Sequence, residues 1–550
     1  MNTRDYLKGK SFDGYKFFGA HKKDKGYIFR LLAAGADKAY LIGDFNDWQR
    51  QAMRKYSTGV FSLSIDKAKP GDRYQFVLVR GDDEFKKIDP YSRVISYEDK
   101  SSIIVDDSYK FTNKKINTLP KNILQVYLGS LFKNKKNANQ IFKDLLDHAK
   151  ANSYTSILLM PINEYQNYKS LGYSSMNLFS YSLRYGDIKD FKNFIDLAHK
   201  NGIQVIAEMD ISEFDPDSYG LINFDGSASY NYDYEDICYN YFGQVNYDIS
   251  KDITKSYIKS AVDYYIKEYK LDGIYFSSIE NSIYWQGDEY RGVNKEWVNF
   301  IKEINFYIKS SNSLALASFN GKYDMDLNFS YVYDTRSKSL VNMMKDPPFK
   351  RDSYKHYIND MIEANNGENI LGFSYVDSYQ NEANLAMKIY STSEKFEQMK
   401  TLLFFLYTLD SPKVLFMGDD RGDLRTFSAY NSFDFKNIER KIEGLEAFYK
   451  DLAKLFVEDK NLGNNPIKIQ VLDTEGYSLY AYKRIYKKAS YLIIVNFTDI
   501  DYQIPSPYKL EEIFNTESLS YGGSGNINGR VLRKEIINIE AYSAAVFKII

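Results

Sequence analysis

The chain has 550 residues, 44% of them hydrophobic, and its 72 basic and 73 acidic side chains leave a net charge of −1. That length exceeds one ordinary domain, and the even charge removes the electrostatic case for nucleic acid or an anionic membrane as partner. One cysteine, Cys238, rules out a disulfide framework, and four histidines leave little material for a histidine metal centre or a Ser–His–Asp site.

From the N-terminus to residue 112 the pattern is short strands separated by turn residues, a β-sandwich signature. GYIFRLLA (Gly26–Ala33) alternates. KAYLIGDFNDW (Lys38–Trp48) is a strand ending in an Asp/Asn-rich turn, and Val60–Ile65, Pro70-Gly71 and Arg73–Val79 read as strand, turn, strand. The stretch before His21 has no apolar signal core, and no segment reaches the ~18 apolar residues of a membrane span, so a cytoplasmic chain is expected.

Residues 113–444 alternate apolar strand-like runs with helical patterns. Strands are expected at Ile123–Gly129, Ser156–Ile162, Ile203–Ile211, Leu271–Ser278, Leu314–Ser318, Gly372–Val376 and Val414–Met417. Helices are expected up to Lys150 and over Asp187–Asn201 and Ile253–Tyr269. Parallel β/α repetition of this length predicts a (β/α)₈ TIM barrel. Residues 445–550 return to strands (IKIQVL, SLYAYKRI, SYLIIVNFT, AYSAAVFKII) and predict an antiparallel all-β domain. The whole is a multidomain α/β chain with the barrel at its centre.

Three groups of motifs carry a resemblance. GYKFFGAH (Gly14–His21), GDFNDW (Gly43–Trp48), PGDRYQF (Pro70–Phe76) and DPY (Asp89–Tyr91) stand first. VYLGS, LLMPINEY, GYSS, RYG and FDGSASYNY follow in order, then VNFT (Val495–Thr498) and FNTESLSYGGSGNING (Phe514–Gly529). Together they resemble the glycogen (1,4-α-glucan) branching enzymes of the α-amylase superfamily, and they span the whole chain. The resemblance implies a starch-binding sandwich, an amylase-type barrel and a C-terminal β domain, acting on α-glucan in glycogen metabolism, beside other glycogen enzymes, without metal or organic cofactor.

It also implies a retaining mechanism. One carboxylate attacks the anomeric carbon, a second about 5–5.5 Å away protonates the leaving oxygen, and a third grips the ring hydroxyls. All sit at C-terminal strand ends. The nucleophile strand of the family reads D-G-F-R-x-D-A-V; here it is DGIYFSSI (Asp272–Ile279), with Tyr275 for the arginine and Ser277 for the nucleophile. The acid/base strand I-A-E-E-S becomes LASFN (Leu316–Asn320), with Ser318 for the glutamate. S-H-D-E becomes SYVD (Ser374–Asp377), with Val376 for the aspartate and Asp377 beside it. Hydroxyls and a methyl pair supply neither a proton at neutral pH nor a covalent glycosyl ester.

Two readings of the remaining acids stay open. Glu208 and Asp210 alternate on one strand and can face one way; with Glu213, Asp215, Asp217 and Glu280 they are either a relocated pair or solvated loop charges. Tyr173 of Gly172-Tyr173 sits where the family stacks a tyrosine under the cleaved sugar, and is either that platform or only packing; Trp48 is likewise either a glucan platform or a packing residue. Asp272 and Asp377 complete the substrate-binding candidates. The tyrosine-dense loop Phe224–Tyr234 either lines a glucan groove or reflects the bias that puts 51 tyrosines in the chain. Cys238 reads as a thiol without a role, and MGDDRGD (Met417–Asp423) as a strand-end loop rather than a calcium site. The readings of function are therefore a glucan-binding pseudoenzyme, an active branching enzyme with displaced carboxylates, and a protein scaffold that has left sugar behind.

Overall fold

A computed structural model describes the chain except residues 136, 319–325, 364–366, 368, 380–382, 392, 438–441, 460–461, 464–467 and 475. Phe319 and Asn320, the end of the LASFN motif, thus lie outside the described residues. Two compact units form: residues 1–117, 127–142 and 158–330, and residues 118–126, 143–157 and 331–550.

In the first unit the N-terminal strands make two antiparallel sheets. One runs Gly19–Lys22, Tyr27–Leu32, Val60–Ile65, Arg54–Lys55 in spatial order. The other is built on the pair Lys38–Gly43 and Arg73–Arg80, with Leu41 opposite Phe76. Alternation decides the faces: Tyr27, Phe29 and Leu31 are buried while Ile28 and Arg30 are half-exposed, as expected of sheets with one wet face.

Eight parallel strands close into the barrel in chain order: β1 (Asn122–Val126), β2 (Ser156–Leu159), β3 (Gln204–Met209), β4 (Gly273–Phe276), β5 (Leu314–Ser318), β6 (Tyr331–Tyr333), β7 (Asn369–Phe373) and β8 (Lys413–Phe416). β3 and β4 are buried at every position, so they read as apolar runs without alternation. The helices α1 (Ala138–Ala151), α2 (Ile188–Lys200), α3 (Asp252–Lys267) and α4 (Lys295–Ser310) follow β1 to β4. Asp187 caps α2 by accepting from the Lys189 amide at 2.9 Å, and Asn294 caps α4 from the Trp297 amide at 3.3 Å, each satisfying a donor the first turn leaves open.

Three differences from the sequence reading matter. β6 is only three residues long, too short to show a period. β7 ends at Phe373, and the expected strand end SYVD instead enters a helical turn, Tyr375–Tyr379. The reason lies in Gly372, whose φ of +144° and closeness to the Val414 carbonyl admit no side chain (a Cβ would sit 1.9 Å from that oxygen), and in Asp377, whose carboxylate accepts from the Ser374 amide at 2.9 Å and turns the chain. Finally, the expected all-β segment 445–550 begins with a helix, Leu445–Glu458, whose Leu445, Phe448, Tyr449, Leu452 and Phe456 are buried at helical spacing. After it come the antiparallel strands, in spatial order Lys468–Val471, Tyr480–Tyr486, Ala489–Val495, Ala544–Ile549, Leu510–Asn515, Arg530–Val531, over a core of Leu492, Ile494, Leu510, Ile537 and Phe547. No helix among the described residues is long and apolar enough to cross a membrane.

Candidate active site at the barrel's C-terminal strand ends

In the first unit, β3, β4 and β5 bring the predicted positions to their strand ends. The register sets Glu208 opposite Tyr275 and Tyr275 opposite Leu316. Ser277 is the first residue beyond β4 and Ser278 follows in left-handed conformation (φ 51°). Ser277 is 7% exposed and its hydroxyl has no hydrogen-bond partner among the described residues. Ser318 closes β5, half-buried. A nucleophilic serine needs a base to take its proton. The histidines serve elsewhere: His199 Nε2 bonds the Asp272 carboxylate at 2.9 Å, His148 Nε2 the Asp420 carboxylate at 2.7 Å, His21 Nε2 the Phe18 carbonyl at 2.8 Å, and exposed His356 faces Asp360 at 3.4 Å.

Tyr173 and Glu208 are brought together. The Tyr173 hydroxyl donates to Glu208 Oε2, and Glu208 is fully buried. Gly172 makes that approach possible: its φ is +99°, and a Cβ there would press on the Pro161 carbonyl at 3.0 Å. Glu208 therefore holds the tyrosine ring in place from below.

For Asp210, Glu213 and Asp215 the reading as solvated loop charges is corrected. Asp210, Glu213 and Asp215 are each at most 7% exposed. The Ser212 amide and hydroxyl donate to Asp210 Oδ1 at 2.8 and 2.5 Å, and Asn240 donates to Glu213. Burial pushes Asp210 up to about 6 against those bonds. Burial, then the Asp210 charge, pushes Glu213 well above the usual carboxylate range. Asp215, raised by burial, accepts from Ser174 at 2.9 Å. Asp217 instead pairs with Lys100 at 2.6 Å. Sequence spacing pointed to the acids but not to Ser212 and Asn240, which hold them.

In the second unit, Asp377 accepts from the Tyr333 hydroxyl at 2.9 Å as well as from Ser374, and Val376 is half-buried on the same helical turn. Tyr333, on the short β6, was not legible in the sequence. No group of three or more metal-ligating side chains fit to hold an ion occurs among the described residues.

Two candidates belong elsewhere. Asp272 precedes β4, at the opposite end of the strand from Ser277. Its carboxylate, 1% exposed, accepts from the Ile116 and Val205 amides at 2.8 Å each and from His199. It ties the chain together at the barrel's N-terminal face, where such residues serve stability, and is not a substrate ligand. Trp48 is half-buried in the sandwich turn; its indole N–H donates to Asp44 at 2.9 Å and the Arg73 guanidinium lies 5.9 Å from its ring centre. The ring is held by its own turn and keeps part of its surface open.

Against known proteins, residues 17–92 match the model of carbohydrate-binding module 48 (isoamylase N-terminal domain), and residues 470–550 that of the alpha amylase C-terminal all-beta domain. A 1,4-alpha-glucan branching enzyme, GlgB 2, of Clostridium perfringens strain 13 is 27% identical over 600 aligned residues, covering 96% of this chain and 89% of the relative. The corresponding enzyme of Bacillus cytotoxicus is 25% identical, covering 95% and 89%. Among solved structures, a pullulanase complexed with maltotetraose from Anoxybacillus sp. LM18-11 aligns over 100% of this chain and 89% of its own, with TM-score 0.78 and 12% identity. A putative alpha amylase from Salmonella typhimurium aligns over 97% and 100%, with TM-score 0.75 and 18% identity. Both share the fold.

Proposed function

We propose, from the premise that the chain is a homologue of the 1,4-alpha-glucan branching enzymes within the α-amylase superfamily, that it binds α-glucan in glycogen metabolism and has lost the transfer reaction. The observation that carries this is Ser277: a buried hydroxyl with no hydrogen-bonding base among the described residues stands at the strand end where the resemblance requires a carboxylate. Ser318 and Val376 at the two companion positions supply no ionisable acid either. Removing one acid/base group costs ~10²–10⁴-fold, and removing the nucleophile closes the covalent route. What remains suits binding: an aromatic ring at Tyr173, fixed by Glu208, and Trp48 on the sandwich. The protein acts in the cytoplasm, alongside active glycogen enzymes.

One observation favours a second reading, an active enzyme with displaced carboxylates. Burial makes Asp210 and Glu213 hold their protons to higher pH than ordinary carboxylates, the direction in which an acid catalyst is tuned. Against it, both are bonded inward, to Ser212 and Asn240. The third reading, a scaffold, predicts no affinity for sugar at all. Native electrophoresis through a glycogen-containing gel separates binding from scaffold: the chain is expected to be retarded, and Tyr173→Ala to weaken maltoheptaose binding roughly tenfold, equivalent to ~1.4 kcal/mol of ring contact. Mobility unaffected by glycogen would leave the scaffold reading standing instead.

A further inference from the structure

We propose that Ser313 and Lys115 form a serine–lysine nucleophilic pair at the N-terminal face of the barrel, and that Ser313 takes the acyl group of small activated esters. Both residues belong to the first unit. They lie at the opposite strand ends from Ser277 and Glu208, so the proposal stands independently of the glucan reading. Ser313 occupies the turn between α4 and β5, directly after Asn312 in left-handed conformation (φ 52°). Lys115 lies on the segment before β1. As an ammonium Lys115 donates to Ser313 Oγ; as a free amine it accepts the hydroxyl proton across the same contact.

A nucleophile and a base within hydrogen-bond reach, the base fixed by a further group, is the arrangement that activates a serine. Here the fixing is done by two aspartates. The Asn113 amide donates to Asp196 on α2 at 2.8 Å, and the Ile116 amide to Asp272 Oδ1 at 2.8 Å. Lys115 is thus held between two anchored neighbours. On the other side, the Leu314 amide donates to the Asp272 carbonyl oxygen at 2.8 Å and fixes Ser313. Asp272 therefore positions base and nucleophile together, which sets their geometry before any ester arrives.

The local charges suit a base. Lys115 bonds a hydroxyl rather than a carboxylate, because the Asp272 carboxylate already receives Ile116, Val205 and His199. Burial outweighs the pull of Asp272 and, with the charge of exposed Lys270, lowers Lys115 from an ordinary 10.5 to about 8. A base there is partly unprotonated near neutral pH. Ser313 is 6% exposed, and half-buried Lys115 stands between exposed Lys114 and half-buried Ile116, an opening for a small donor only. In the reaction, the Lys115 amine takes the Ser313 hydroxyl proton as Oγ bonds to the ester's carbonyl carbon. The adduct expels the alkoxide, which receives that proton, and Ser313 is left as an acyl ester. Water, deprotonated by the same amine, then releases the carboxylic acid and restores the serine.

Stopped-flow release of nitrophenolate from para-nitrophenyl acetate by the full chain, with the acetylated residue located by peptide mass spectrometry, tests this. Wild type is expected to carry acetyl on Ser313, formed at a rate that rises with pH to a plateau and is half-maximal near pH 8. Ser313→Ala should remove that phase of release. Lys115→Arg keeps the positive charge but cannot serve as a base, and should slow acetylation of Ser313 by about a hundredfold or more. Acetyl confined to surface lysines, acetylation of Ser313 as fast in Lys115→Arg as in wild type, or a rate that climbs with hydroxide without a plateau would each overturn the pair. If a variant fails to fold, the wild-type acetylation map and pH profile decide the matter by themselves.

Discussion

Replacing Asp272 with alanine is expected to destabilise the first unit by about 3–5 kcal/mol, the cost of leaving the partners of a buried charge unpaired. The carboxylate is 1% exposed and receives the Ile116 amide, the Val205 amide and His199 Nε2 within 2.9 Å. Alanine would strand three donors at once, those of Val205 and His199 buried, and each buried one carries a desolvation penalty of about 1–3 kcal/mol. Asp272→Asn keeps one acceptor oxygen and should cost less. The midpoint of urea unfolding reads the difference. A midpoint unchanged in the alanine variant would mean that these bonds are not what joins β3, β4 and the segment before β1. The result bears on function because the Asp-Gly opening of the family's nucleophile strand survives here. Its presence here is accounted for by these bonds within the fold.

The second large effect concerns pH. Asp210 is held up to about 6 by burial, against an ordinary 3.8, and burial together with the Asp210 charge holds Glu213 well above 4.5. A carboxyl group whose folded value is raised keeps its proton better when folded than when unfolded. The associated stability is fully present below the unfolded value near 4 and is lost as pH rises through the folded value. For Asp210 that window is about pH 4 to 6 and amounts to roughly 3 kcal/mol at 1.36 kcal/mol per unit; Glu213 extends the loss to higher pH. Asp210→Asn and Glu213→Gln are expected to melt higher than wild type at pH 7.5 and to flatten the fall between pH 4 and 7. Parallel melting profiles in wild type and both variants would contradict the assignment.

Periodicity and turn residues made the sandwich, the barrel and most of its strands legible, because apolar runs of four to six residues bounded by turns have few other readings. Where the sequence misled, the deciding contacts are distant along the chain. Asp272 looked like a site residue until His199 and Ile116 were seen to converge on it. SYVD looked like a strand end, yet the approach of Val414 to Gly372 and the bond from Ser374 to Asp377 turn it into a helix. The loop acids looked wet because their spacing says nothing of Ser212 or Asn240. The helix Leu445–Glu458 was hidden in a segment whose later strands dominate its composition. Of the tyrosine-dense loop Phe224–Tyr234, Tyr232 does line an open pocket, whose other wall, Arg80 and Phe85, lies some 140 residues earlier. By contrast, the serines at 277 and 318 and the valine at 376 are read directly from the sequence, since residue type needs no long-range contact.

The account is tested most directly by following the iodine absorbance of amylose during incubation with the purified chain. With hydroxyl and methyl groups at positions 277, 318 and 376, the absorbance should hold steady over hours at enzyme-like concentrations. A progressive fall proportional to protein, abolished in Asp210→Asn or Glu213→Gln, would show a working glucan transferase and contradict it.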